Sequence, residues 1–238
     1  MVKHLYRMIV LFAFLCTLSF LDFGFFIAET AESPKPHPDV LALIDQGRKL
    51  ATEFKFDEAI KIYSDALKKA IELNDLVGQG MAHNRTGNAY YQKGDLTKAG
   101  EAFVIARDLF KRAGAEFEEM GTLGNIAIIR DRTGHPEEAR PIYLELLKHY
   151  RTKGDRRYTA NMLLNLAILE DGIDASAAAM QYAKEAVPIY EEIKEPRWVA
   201  VSMNIIGSSQ KSLGLRDEAI KTYNQVVAMA EKGGFKGE

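Results

Sequence analysis

The sequence predicts an all-α solenoid of about five helix-turn-helix hairpins over residues 40–238, behind an apolar amino-terminal segment. Three columns of residues predict it. Ala59, Ala99, Ala139, Ala179 and Ala219 stand 40 residues apart without an insertion. Twelve positions before each alanine lies another small residue, Gly47, Gly87, Ala127, Ala167 or Gly207, and four after it lies Tyr63, Phe103, Tyr143, Ala183 or Tyr223. A fixed period of this length marks a unit stacked on copies of itself, because one hairpin cannot bury its apolar face alone.

Composition agrees with a folded chain. At 238 residues, with 47% hydrophobic and 27% charged, wholesale disorder is excluded. Thirty-one Lys plus Arg against 33 Asp plus Glu leave a net charge of -2, which supplies no overall pull toward nucleic acid. Cys16 is the one cysteine, so neither an internal disulfide nor a thiolate metal cluster can form. The fold must rest on packing.

Residues 1–31 read as a signal peptide or signal anchor. Met8 to Ala28 is almost unbroken apolar, with Lys3 and Arg7 ahead of it and no acid among the first seven residues. Cleavage needs small residues three and one before the cut, and neither Ala31 after Glu29 nor Ala28 after Phe26 satisfies that. Uncleaved, the segment would reach about 31 Å as a helix, enough to cross a bilayer. Leu15 stands where lipoprotein processing at Cys16 wants a small residue. With Lys3 and Arg7 on the cytoplasmic side, either outcome places the rest of the chain outside the cytoplasm, periplasmic or extracellular. Residues 32–39 form a linker, in which Pro34, Pro36 and Pro38 forbid helix and favour an extended segment. Asp39 is the expected cap of the first helix.

Five hairpins follow, over 40–79, 80–119, 120–159, 160–199 and 200–238. The turn of the first contains Phe54 and no glycine; the second has Lys93-Gly94-Asp95, the third Thr133-Gly134-His135-Pro136 and the fifth Leu213-Gly214-Leu215. In the fourth, Gly172-Ile173-Asp174 places the glycine two positions early, and Tyr182 precedes the aromatic column by one, which predicts a slightly rotated helix. The residue types follow from geometry. Where two antiparallel helices cross closely only Gly or Ala fits, and an aromatic ring one turn along fills the adjacent gap.

Small-x11-Ala-x3-aromatic with glycine in the turn resembles the tetratricopeptide repeat, as in Gly87-Asn88-Ala89-Tyr90-Tyr91-Gln92-Lys93-Gly94-Asp95 and in Glu137-Glu138-Ala139-Arg140-Pro141-Ile142-Tyr143. The 40-residue spacing is similar to kinesin-light-chain-like repeats and exceeds the commoner 34. The resemblance covers Val40 to Glu238 and implies a right-handed solenoid whose concave wall of first helices holds a protein or peptide partner. In that family the groove is lined by the residues three before, one after and four after the small crossing residue. Carried onto this chain, the stripe is Ile44, Arg48 and Ala51; Asn84, Asn88 and Tyr91; Gly124, Ile128 and Asp131; Leu164, Ile168 and Asp171; Asn204, Ser208 and Lys211. Asn125 and Asn165 stand one residue off it. An amide both donates and accepts, so such asparagines can hold a peptide backbone of any sequence, or else cap a helix or face water. Ile44 stands where the family's carboxylate clamp places lysine, so that ligand is not carried over.

Catalysis is not supported. His83, His135 and His149 lack the i, i+4 partner of a helical metal pair, the cysteine lies in the export segment, and Gly207-Ser208-Ser209-Gln210-Lys211-Ser212 lacks phosphate-loop spacing. Glu137-Glu138 and Glu191-Glu192 suit helix ends and solvated faces. No cofactor or metal is expected. Helical-repeat RNA readers need a basic groove and a 35-residue period, and both are missing. Asn84-Arg85-Thr86 matches a glycosylation acceptor but falls within a predicted helix. The last helix, from Asp217, runs into Gly233-Gly234-Phe235 without a polar cap, which leaves Ile220, Tyr223, Val226, Val227 and Met229 to a second copy, the tail or a partner.

Two functions are compatible with these residues. One is a non-catalytic, exported or membrane-tethered adaptor that binds a peptide segment or an envelope-complex subunit. The other is a ligand-sensing or accessory subunit of an enzyme complex, binding a small molecule such as a glycan. A long, shallow stripe favours the adaptor over a pocket-like site.

Overall fold

A residue with left-handed backbone geometry interrupts the chain every 20 positions: Phe54, Asn74, Gly94, Gly114, Gly134, Gly154, Asp174, Lys194 and Gly214. Each is followed by an amide that reaches five residues back, as in Lys55 N to Leu50 O at 3.0 Å and Asp95 N to Tyr90 O at 2.9 Å. These are Schellman endings, which satisfy the orphan carbonyls of one helix and reverse the chain into the next. The computed structural model describes residues 34–233, and among them are ten α-helices and no strand. In chain order they are α1 (Pro38–Thr52), α2 (Phe56–Glu72), α3 (Leu76–Gln92), α4 (Leu96–Ala113), α5 (Glu116–Arg132), α6 (Pro136–Lys153), α7 (Arg156–Gly172), α8 (Ser176–Glu192), α9 (Pro196–Ser212) and α10 (Arg216–Gly233). The export segment expected over residues 1–31 lies outside the described residues. No described helix is long and apolar enough to cross a membrane.

Two local expectations need correction. Asp39 does not cap α1: the helix starts two residues earlier than expected, with Pro38 at its first position, and His37 Nδ1 accepts from the Asp39 amide at 3.3 Å. Pro38 makes this natural, since its fixed φ suits the first helical residue and it has no N–H to satisfy. The fourth turn is not displaced either. Asp174 carries the left-handed φ of 59° in register with the others, and Gly172 is simply the last residue of α7. An aspartate reaches this conformation because its short polar side chain tolerates it. Aspartates also start the next helix in the same period, with the side chains of Asp75, Asp95 and Asp155 accepting from the amides of Gly78, Lys98 and Tyr158.

The chain divides into two compact units, Met1–His135 with α1–α5 and Pro136–Glu238 with α6–α10. Within the first, the ring of Tyr63 covers Gly47 and the ring of Phe103 covers Gly87 so closely that an added Cβ would approach them to 2.4 and 2.8 Å. Gly80 faces Phe110 in the same way, at 2.7 Å. Tyr63, Phe103 and Phe110 are all buried, and each buried aromatic contributes roughly 2–3 kcal/mol of transfer energy. Val40, Ile44, Ala59, Ala66, Ala70, Ala82 and Ala89 close the core around Tyr63.

Within the second unit, Gly207 repeats the wedge against Tyr223 at 2.8 Å. The predicted rotation of α8 is absent. Its buried residues include Ala179, Ala183, Ala186, Ile189 and Tyr190, the same register as Ala99, Phe103, Ala106, Leu109 and Phe110 on α4. Tyr182 is only partly buried. Tyr190 supplies the large ring two turns further on, and its hydroxyl donates to Asn161 Oδ1 at 2.9 Å. On α10, Ala219, Thr222 and Val226 are buried while Ile220 is 58% exposed.

Candidate ligand-binding surface

The first helix of each hairpin carries the residues proposed as a groove, and the structure sorts them by depth. In the first unit these helices are α1, α3 and α5. Arg48 is exposed on α1 and ion-paired with Asp45 at 3.1 Å, one turn back. Asn84 and Asn88 on α3 are each 6% exposed, and Asn125 on α5 is 9% exposed. Asn125 Nδ2 donates to Asn84 Oδ1 at 3.1 Å, so two asparagines from neighbouring hairpins hold each other. None of the three caps a helix or faces water. Asn88 Nδ2 has no hydrogen-bond partner among the described residues. Tyr91, Ile128 and Asp131 are half-buried nearer the surface. Burial pushes the Tyr91 phenol and the Asp131 carboxyl up, with Arg132 opposing both shifts.

In the second unit the corresponding helices are α7 and α9. Asn165 is 7% exposed, and its Nδ2 also has no hydrogen-bond partner among the described residues. Leu164 beside it is wholly buried, so on α7 only Ile168 and Asp171 of the predicted stripe are partly open. Burial raises the Asp171 carboxyl, and Asp174 nearby adds to the shift. Asn204 and Ser208 on α9 are half-buried and Lys211 is exposed.

Sequence reasoning missed the deepest polar feature of the first unit. Arg85 on α3 is 5% exposed and lines a cavity of about 360 Å³ with Arg48, Asn88, Gln92 and the aromatic turn residues Phe54 and Phe56. Burial depresses the basicity of its guanidinium. A signal was available: Arg85 occupies the same place in its hairpin as Asn125 and Asn165 in theirs, so a polar column already ran through these positions.

Three models of the tetratricopeptide repeat match the chain, over residues 44–113, 118–192 and 200–232. The chain belongs to the tetratricopeptide-repeat family. No curated protein matches it in sequence. Among solved structures, this tetratricopeptide-repeat chain is similar to BtubC (BKLC) from P. vanneervenii, at 20% identity and a TM-score of 0.74 over 84% of each chain. It is similar to the nearly identical TPR-like repeats of a kinesin light chain from Podosopora anserina, at 14% identity and a TM-score of 0.67, over 83% of this chain and 98% of that one. A third likeness is to the Rap conjugation gene regulator of plasmid pLS20 in complex with the Phr* peptide, at 17% identity and a TM-score of 0.66. It covers 90% of this chain but only 61% of that regulator's length. At these identities the likeness concerns the fold. The glycosylation triplet Asn84-Arg85-Thr86 is inaccessible in the tetratricopeptide-repeat structure, because Asn84 and Arg85 are both buried.

Proposed function

We propose that this tetratricopeptide-repeat chain is a non-catalytic interaction adaptor whose first-helix faces hold an extended segment of a protein partner. The observation that carries the reading is the amide-rich seam of the first unit, where Asn88 keeps an unpartnered donor beside the Asn84–Asn125 pair. Buried amides of this kind can pair with a peptide backbone irrespective of its side chains. Around them Ile128 and Tyr91 offer apolar contact and Arg48 and Asp131 offer charge at the edge. The similarity in fold to a regulator solved with a bound peptide supports the same reading. The apolar segment over residues 1–31, with Lys3 and Arg7 ahead of it, supports export or membrane tethering, so the partner is a segment or subunit on the non-cytoplasmic side. Self-association through the exposed Ile220 face of α10 is a secondary expectation.

The test places a photo-crosslinking residue at Ile128, on the half-buried stripe, and a second at Ile105, exposed on α4. A discrete partner segment captured at Ile128 and not at Ile105 is the expected result. Equal capture at both positions, or capture at Ile105 alone, contradicts the groove.

A further inference from the structure

In the last turn of α7, Asp171 is a half-buried carboxylate whose charged neighbour is another carboxylate, Asp174, exposed in the turn that follows. Neither acid makes a side-chain hydrogen bond or an ion pair among the described residues. Glu170 beside them shows the contrast: it is 4% exposed and paired with Arg140 at 2.7 Å. Lys211, exposed at the end of α9, does not pair with Asp171. A carboxylate taken part-way out of water calls for positive charge, and the negative end of the α7 dipole adds to that demand.

The repeat shows what faces these acids. In the first unit the space beyond the end of α1 has Ala51, Phe54 and Ala89 in its wall. Three periods of 40 further along the chain, the same places hold Asp171, Asp174 and Ser209. The turn geometry is also the same, with φ of 59° at Asp174 and 60° at Phe54. Ser209 on α9 is therefore aimed at the two carboxylates. It is 0% exposed, and its hydroxyl has no hydrogen-bond partner among the described residues, which makes it a place for a ligand atom. Tyr223 on α10 adjoins the site, since its phenol is raised by burial and then by the Asp171 charge. Ile168, one turn before Asp171, is half-buried on the same stripe.

We infer that the end of α7 binds an organic cation, its charged nitrogen meeting Asp171, Asp174 and the Ser209 hydroxyl while its aliphatic stem lies along Ile168. An ammonium or guanidinium donates to several oxygens at once, and its stem favours apolar contact. A calcium ion calls for about six to eight oxygen ligands, more than two carboxylates and two hydroxyls supply. The cation has two sources, a lysine or arginine side chain of a bound segment or a free aliphatic amine. Only the first source rests on the peptide-binding reading.

The full chain is titrated by calorimetry with acetyl-Ile-Lys-Ile-amide, its counterpart acetyl-Ile-Gln-Ile-amide, butylammonium chloride and calcium chloride. The lysine peptide is expected to bind saturably and the glutamine peptide about tenfold or more weaker, the loss of one charge-assisted contact. Asp171→Asn is expected to weaken the lysine peptide about tenfold, while Lys211→Gln does not weaken it. Without ligand, Asp171→Asn should raise the unfolding midpoint, because it removes a charge that nothing in the folded chain compensates; a purely structural role predicts a fall. The inference is overturned by no saturable binding of either amine, or by a glutamine peptide as tight as the tighter amine. It is equally overturned by an Asp171→Asn chain that binds like the parent or melts lower, or by calcium binding that Asp171→Asn abolishes. Tighter binding of the lysine peptide than of butylammonium assigns the site to a bound segment, and the reverse order assigns it to a free amine. Saturable amine binding in a chain that captures no partner at Ile128 leaves the site standing and removes the adaptor.

Discussion

Asn125 on α5 and Asn84 on α3 are joined by a single hydrogen bond of 3.1 Å across 41 residues of sequence. The bond fastens two neighbouring hairpins at the level where the groove was expected, in a place with little access to water. Asn125→Ala leaves the Asn84 carbonyl oxygen buried without that donor, which is expected to cost about 1–3 kcal/mol. Adding Asn84→Ala should cost less than it does alone, with a coupling of roughly 1 kcal/mol in a double-mutant cycle followed by urea unfolding. Strict additivity would show that the pair contributes nothing. A binding loss in Asn125→Ala therefore has to be read against its stability loss.

Two helical glycines are expected to respond in opposite directions. A Cβ at Gly87 would meet the Phe103 ring at 2.8 Å, so Gly87→Ala should overpack the crossing and cost about 1–3 kcal/mol. Nothing lies within 4 Å of a Cβ added at Gly121 in α5, so Gly121→Ala should stabilise by about 0.5–1 kcal/mol through helix propensity alone. Phe103→Ala should remove about 3–5 kcal/mol, because its ring fills the space that Gly87 leaves. Thermal midpoints of the three variants give the order directly.

The turns can be probed where the residue type disagrees with its backbone. Lys194 holds a φ of 59°. Lys194→Gly relieves a left-handed conformation that costs a non-glycine residue about 1 kcal/mol or more, and is expected to raise the unfolding midpoint. Gly94, at φ 81°, should behave inversely, with Gly94→Ala destabilising by about 1 kcal/mol. If both substitutions shift stability in the same direction, the left-handed turn does not set the energetics.

Alkaline pH should loosen the first unit through Tyr63. Burial pushes its phenol up to about 12, with the cations of Arg85 and Arg48 acting against the shift. The folded chain therefore keeps this proton after an unfolded tyrosine, near pH 10, has lost it. Stability is full below pH 10 and falls as pH rises toward about 12. Burial raises Tyr150 and Tyr190 further, which extends the loss in the second unit. Phenolate absorbance is expected to appear in two stages, exposed tyrosines first and these three with unfolding. A single stage centred at pH 10 would contradict it.

The hairpins were legible because their rule is local and repeats. A glycine or alanine at each crossing, an aromatic beneath it and a turn every 40 residues are constraints of close helix contact, and a contact repeated five times leaves five copies of its signature. Half of the turn rule stayed hidden, since the turns between hairpins carry Asn74, Gly114, Gly154 and Lys194, of which only two are glycine, even though all four share one backbone conformation with Gly94 and Gly134. Tyr182 misled for a related reason. A single aromatic out of column suggested rotation, whereas α8 kept its register and placed its large ring at Tyr190.

The sequence by itself determined the helices, their pairing and the period, because each depends on residues within one or two turns of each other. Tertiary structure alone decided what the polar residues on the first helices do. Whether an asparagine binds its neighbour, as Asn84 does, or keeps a dry donor, as Asn88 does, depends on what the next hairpin brings within 3.1 Å. The same holds for Arg85, whose burial beside Phe54 arises where α3 packs against the end of α1, a distance in space that no spacing along the chain encodes.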